Sequence, residues 1–383
     1  MPCALLLLIV AFPLVAQKPP DALRTTLLTL REQHPDAFRE VRGATPLLTT
    51  AKHQLRDWIE NRLASFPADG NAESLAAALN ADLEAAGMFC EDYTRCILTS
   101  IGSLDQVQVR RERDLLVILT ATGIRCGFDY SAYIYQPRRA DPVQWTRVWE
   151  LEQNTYTEAG YQPQTLHDVR VSLRDDAGTY LVLTTGTKPG CSAAYQPAYV
   201  RLWRSPLNGT KPGDLLLGHE ELVSLDGETP VRGKVSLEDA LVGITVGGTG
   251  YGYSHRALRH FVVRGNRVER TDPIAATPRD FVEEWLAAPW PESAARSDAP
   301  ALEQWHRRLH RDDGMGTFPD PAVRCADGAW MIATHLREAP TFYFRVRLAG
   351  ENFRYSMSAI SDARFTDCNQ ADADADRLPD LFR

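Results

Sequence analysis

The chain has 383 residues, 44% of them hydrophobic and 24% charged, with a formal net charge of -8 and a pI near 5.7. That composition is ordinary for a folded globular protein, and the length suits two or three domains of about 150 residues. The acidic balance opposes binding to nucleic acid or to an anionic lipid surface, because both carry the same sign.

Residues 1–16, MPCALLLLIVAFPLVA, hold no charged side chain and run apolar from Ala4 to Val10 before ending on the small residue Ala16. This reads as a secretory signal peptide. Cys3 precedes the apolar run, so it is not placed as the lipid-modified cysteine of a lipoprotein. No later stretch approaches the ~20 apolar residues that span a bilayer, so the expectation is a secreted or periplasmic protein with no membrane span in the mature chain.

Residues 17–103 read as helical. LRTTLLTLREQ has apolar positions three and four apart, LLTTAKHQLRDWIENRLASF repeats this over five turns, and ESLAAALNADLEAAG is rich in Ala and Leu, with Asn71 and Glu73 placed to cap it. Residues 104–275 read as short strands in three units of about 62 residues. Each has an apolar strand ending in Thr and Gly, a glycine loop and a second alternating strand, anchored by Gly123, Gly186 and Gly247. Residues 276–383 read as a helical insertion, with Thr277 and Asp280 at a helix start, followed by a β unit after Gly328. The expected fold is α+β and mainly β. An N-terminal helical layer precedes antiparallel four-stranded units in an irregular propeller-like assembly, or a sandwich-like meander, with a helical insertion.

Removal of the signal leaves six cysteines, Cys90, Cys96, Cys126, Cys191, Cys325 and Cys368. In an exported chain these are disulfide candidates with 15 connectivities, and no spacing has the C-x-x-C form of a zinc or redox site. The glycine loops align Cys126 with Cys191, which pairs those two, with Cys325 to Cys368 in the last unit.

Several motifs invite chemistry and fall short of it. VGGTGYGYSHRALRHF, residues 246–261, has the glycines of a phosphate loop but no Lys, and a strand follows where a helix N-terminus is needed. Ser254 and His255 are adjacent on that strand and so point to opposite faces. His306 and His310 share a helix face at metal-ligand spacing, but the glutamate of H-E-x-x-H is absent and two arginines stand between them. Asp372, Asp374 and Asp376 resemble the start of a calcium loop that lacks its glycine and its twelfth acidic ligand. Asp280 and Glu284 share a helix face, while Glu283 points elsewhere.

Eight aromatics lie between Phe128 and Tyr161, and Tyr133 with Tyr135, and Trp145 with Trp149, would each share a strand face. These are core residues or a platform for a ligand. With no cofactor pattern present, the functional expectation is an exported, disulfide-containing β-rich protein. It is read as a non-catalytic binding or interaction module for a glycan, peptide or envelope protein, with Asp129, Tyr130, Tyr251, Tyr253 and His255 as ligand-binding candidates. The alternative is a secreted or periplasmic hydrolase with a composite site at the loop rim, for which Asp129, His255 and His335 are the first groups to inspect.

Overall fold

The computed structural model describes residues 19–33, 41–90, 101–124, 127–138, 144–153, 165–187, 195–206, 209–224, 231–247, 254–271, 275, 277–310, 317–336, 340–349, 354–372 and 375. Residues 1–16, read above as a signal peptide, the cysteines Cys96, Cys126 and Cys191, and Tyr251 and Tyr253 lie outside them. The chain forms two compact units, residues 1–163 and 164–383.

Unit 1 opens with α1 (Asp21–Gln33), α2 (Val41–Leu63) and α3 (Ala72–Ala85). Leucines at helical spacing, Leu23, Leu27 and Leu30 on α1 and Leu75, Leu79 and Leu83 on α3, are all buried. Each contributes about 1.5–3 kcal/mol by leaving water. Asn71 caps α3 by accepting from the backbone N–H groups of Glu73 and Ser74 at 2.8 and 3.2 Å. The helices cover one face of a four-stranded antiparallel sheet, β1 (Gln108–Glu112), β2 (Leu115–Ile124), β3 (Gly127–Arg138) and β4 (Gln144–Leu151), paired in chain order. Tyr133, Tyr135, Leu116 and Ile118 from this sheet join the helical leucines in one core.

Unit 2 continues with two more four-stranded antiparallel meanders. One is β5 (Thr165–Val171), β6 (Leu181–Thr187), β7 (Tyr195–Arg204) and β8 (Leu215–Ser224). The next is β9 (Val231–Val235), β10 (Asp239–Gly247), β11 (Ser254–Arg264) and β12 (Arg267–Arg270). They bury a common core of Leu181, Leu183, Val200, Leu202, Val242, Ile244 and Phe261. Gly233 lets them approach closely, since a Cβ there would stand 2.5 Å from Leu183 Cδ2 and push that side chain aside. Asp168 pins the same spot by accepting from Gly233 N at 3.1 Å and from Arg170 Nε at 2.8 Å.

The helical insertion follows as α4 (Pro278–Ala287), α5 (Trp290–Ala294) and α6 (Leu302–Leu309), with Thr277 Oγ1 capping α4 by accepting from Asp280 N at 3.1 Å. The last sheet has the order β17 (Tyr355–Ser361), β16 (Phe342–Leu348), β15 (Trp330–Leu336), β14 (Val323–Cys325) and β18 (Cys368–Ala371), with β13 (Thr317–Pro319) also paired to β15. Phe281 and Trp285 of α4 pack into its core with Ile332, Phe344, Val346 and Met357. A disulfide joins Cys325 to Cys368, clipping β18 onto β14. The protein is thus mainly β, with three antiparallel four-stranded sheets in chain order, a helical layer before the first and a helical insertion after the third; the last sheet departs from the expected four strands by having six. Among the described residues, no helix is long and apolar enough to cross a membrane.

Candidate functional site

Among the described residues of unit 1, charged side chains gather where α2 crosses β3 and β4. Two local features assemble the group. On α2, Lys52, Arg56 and Glu60 recur every four residues and so share one face, with His53 one place round. On β4 the pairing shifts between Ile134 and Tyr135: Tyr135 faces Arg147, but Ile134 faces Trp149, so Val148 is an extra residue. This β-bulge reverses the alternation, leaving Arg147, Glu150 and Glu152 all toward the helix.

The result is a row of alternating charge. Glu60 Oε1 meets Arg147 at 2.8 Å, Arg147 Nε meets Glu150 Oε2 at 3.1 Å, and Arg56 stands 4.0 Å from Glu150 and 3.2 Å from Glu152 Oε2. His53 Nε2 ends the row, 2.8 Å from Glu152 Oε1. Tyr133 donates to Glu152 Oε2 at 2.5 Å and Tyr135 to Glu60 Oε1 at 3.2 Å. Burial, then the neighbouring Glu152, pushes the Tyr133 phenol well above its usual range, and burial with Glu60 does the same for Tyr135. Both therefore act as hydrogen-bond donors at neutral pH.

Behind the row, Lys52 Nζ bonds Asp129 Oδ2 and donates to Gln153 O at 2.7 Å. Lys52 is 1% exposed and Asp129 0%. Either charge alone would be costly at such depth, and together they neutralise each other. Asp129, expected to touch a ligand, thus faces α2 from within the protein. Tyr130 lies on the opposite face of β3 and donates to Asp105 Oδ2 at 2.8 Å. His255 belongs to β11, opposite Val246, and the conformation of its side chain lies outside the description, as do Tyr251 and Tyr253.

Of the aromatics read as either core or platform, Tyr133, Tyr135 and Trp149 are core. Tyr133 and Tyr135 are each 1% exposed and Trp149 is fully buried. The bulge also separates Trp149 from Trp145, which packs on Phe66 and donates to its carbonyl at 2.8 Å. Phe128 is half-buried, and Tyr156 and Tyr161 lie outside the described residues.

The remaining motifs of unit 2 are held in its architecture. His306 and His310 stack at 4.9 Å between centroids, and their ring nitrogens bond the carbonyls that end α4: His306 Nε2 reaches Trp285 O at 3.1 Å and Ala288 O at 3.0 Å, and His310 Nδ1 reaches Leu286 O at 2.7 Å. Carbonyls accept, so those nitrogens carry protons and cap the helix end instead of holding a metal. Burial, then the charge on His310, lowers the His306 pKa. Asp280 and Glu284 both face Arg259, at 3.5 and 2.7 Å, and Glu284 also meets Arg270 at 2.5 Å, docking α4 on β11 and β12. Asp372 is taken up by Arg324 Nε at 3.0 Å and Trp330 Nε1 at 3.1 Å, while Asp374 and Asp376 lie outside the described residues. Among the described residues, no group of three or more His, Cys, Asp or Glu is placed to hold a metal ion.

His335 has the company that a general base requires. Its Nε2 meets Asp320 Oδ2 at 3.1 Å and its Nδ1 meets Thr341 Oγ1 at 2.9 Å, with 43% of its side chain exposed. The preceding sheet repeats the pattern, with His260 between Asp239 Oδ2 at 3.3 Å and Thr271 Oγ1 at 2.9 Å. Each imidazole bridges the ends of neighbouring strands, and recurrence at two places is what a strand clamp produces.

No family model matches the chain, and no curated protein does. Seven solved structures match it. Three of them are a BT0996 RGII complex (11% identity over 68% of this chain and 70% of that one, TM-score 0.27), a glycoside hydrolase (10% identity, 72% and 90%, TM-score 0.26), and the GH43 β-1,3-galactosidase BT3683 with galactodeoxynojirimycin (8% identity, 72% and 80%, TM-score 0.22). At those scores the likeness carries no argument about this chain's chemistry.

Proposed function

We propose that the protein is an exported, disulfide-containing module that binds a ligand or partner without transforming it. The observation that carries this reading is the commitment of Asp129. As the first carboxylate a composite hydrolytic site would use, it is buried against Lys52, whose ammonium also holds Gln153 O. A carboxylate so placed is inaccessible to a substrate, which suits a scaffold and not a general acid or base. The apolar first segment and the oxidised Cys325–Cys368 pair fit export, since disulfides persist in oxidising compartments. Expression with residues 1–16 fused to a reporter, followed by N-terminal sequencing, tests export. Retention of the uncleaved chain inside the cell would reject it.

A hydrolase reading has one specific support, the Thr341–His335–Asp320 relay. In it Asp320 fixes the Nε2–H tautomer and Nδ1 accepts the threonine proton, the arrangement of an activated hydroxyl. Turnover of an activated ester that disappears in Thr341→Ala, and not in Thr271→Ala, would establish it over the binding reading.

A further inference from the structure

We infer that α6 is an acid-released latch: the neutral His306 imidazole holds it on the end of α4, and uptake of a second ring proton lets the helix open locally while the sheets stay folded. This goes beyond the binding-module reading and does not rest on it.

The hold on α6 is narrow. Leu302, His306 and Leu309 are its buried side chains. Trp305, half-buried, meets Phe342 edge-on at 5.9 Å between centroids, with Arg308 over both rings. Beyond these, the tie is to the carbonyls that end α4, with Trp285 O and Ala288 O on His306 and Leu286 O on His310. A short element held by so few groups opens at lower cost than the whole fold.

The closed state is a poor place for a second proton on His306. Its ring lies 4.8 Å from that of Trp285 and 5.3 Å from that of Trp290, which displace the water that would solvate a charge, and His310 stacks on it at 4.9 Å. No counter-charge answers it. On α4, Asp280 and Glu284 are committed to Arg259, and Arg279 and Glu283 complete its charges. On α6, Glu303 pairs with the exposed Arg307. Glu292 of α5 is exposed, Arg296 and Asp298 lie on the connection to α6, Arg345 and Arg347 of β16 are taken up by Asp327, and β17 has no charged residue. Among the described residues, the charge that reaches His306 is that of His310, which opposes protonation and, after burial, holds the pKa below its ordinary value.

Opening returns His306 to water and to an ordinary pKa near 6.5. The open state then binds more protons than the closed one below that pH, so the balance moves toward opening as pH falls. It also uncovers Trp285, Trp290 and Phe342, so acid exchanges a covered apolar face for an accessible one.

Native-state hydrogen exchange on the full mature chain, at low urea and corrected for the intrinsic pH dependence of exchange, tests this. The α6 amides should exchange faster than those of β16 and with a smaller urea dependence, since a local opening exposes little surface. From pH 7 to pH 5 their protection should fall by up to about 25-fold, the limit for an open state titrating near 6.5 and a closed state that stays neutral. His306→Gln keeps a donor for the carbonyls and loses the titration, so this fall should vanish. Exchange of α6 only with the whole fold, protection that ignores pH, or a fall that persists in His306→Gln would each overturn the latch. If the variant does not fold, the wild-type protein decides: the pH at which the α6 loss levels off must match the titration of the His306 ring followed by NMR, and a mismatch overturns the assignment.

Discussion

The two units use the same chemistry, carboxylate against guanidinium or ammonium, in opposite surroundings. In unit 1, Lys52 and Asp129 meet under the helical layer with almost no exposure. In the last sheet of unit 2, Arg345 bridges Asp327 at 2.9 Å and Asp367 at 2.6 Å, with Arg347 also on Asp327, and those aspartates are 36% exposed or more. Buried charges attract strongly because little water screens them, yet each was costly to bring in. Surface charges gain little and risk little. The inner pair should therefore be indispensable once present, and the outer cluster nearly dispensable.

The sharpest way to break that contrast is to remove one inner partner. Asp129→Ala leaves Lys52 buried without its counter-charge, and urea unfolding should show a loss of about 3–5 kcal/mol. The paired change Lys52→Met with Asp129→Leu should recover most of it, since no charge then remains to be solvated. A single variant as mild as the double one would mean that water reaches the pair and that it belongs to the surface class.

In unit 2 a covalent link does what charge does in unit 1. Cys368 follows Asp367 directly, and its bond to Cys325 closes a loop with a sequence separation of 43. Replacing both by serine should cost about 2–4 kcal/mol in unfolding free energy, more than any change to the charges around it. Peptide mapping without reduction would show this bond directly. The same map decides the pairing of Cys126 with Cys191, and the partner of Cys90, which is also oxidised.

Two histidines withdrawn from water, His306 buried and His167 partly so, extend the comparison to pH. Burial lowers the His167 pKa to about 4, against an opposing effect of Asp168, and it also lowers that of His306. The unfolded chain protonates each near its ordinary value of about 6.5 while the native one does not, so the unfolded state binds more protons below that pH. Stability then falls as pH drops from about 6.5, and for His167 it levels off only near pH 4. At pH 5 the His167 contribution should be about 2 kcal/mol. His167→Gln should flatten the change in urea midpoint between neutral pH and about pH 5, and an unchanged slope would mean that the imidazole is hydrated.

Much of this was legible in the residues. The leucine spacing marked the three opening helices, Asn71 and Thr277 marked caps, and alternation between turn signals marked antiparallel four-stranded units, though not the six strands or the non-sequential order of the last sheet. The charged row was not legible, because it depends on one extra residue. Strict alternation along WTRVWELE places Trp145, Arg147 and Trp149 together, whereas the bulge at Val148 puts Trp149 in the core and brings Glu150 and Glu152 beside Arg147. Lys52, Arg56 and Glu60 at four-residue spacing were a visible signal, but on an amphipathic helix such a stripe ordinarily faces water. Only contact with β3 and β4 buries it, and that is a long-range fact.

The smallest expected effect tests the outer cluster itself. The Arg345 hydrogen bond, aided by the Ala329 N–H and by Arg347, holds the Asp327 carboxyl down to about 2. Because its folded pKa lies below the usual carboxylate value, its contribution is present above about pH 4 and lost as pH falls through 2. Taken at face value the shift would be a sizeable stabilisation, but the group is open to solvent, and screening leaves less than about 1 kcal/mol. Asp327→Asn should lower the urea midpoint at about pH 7 by that small amount, and added salt should erase the difference. A salt-insensitive loss as large as that of Asp129→Ala would mean that the two clusters are not different in kind. Burial would then no longer explain why one pair is essential to the fold and the other is not.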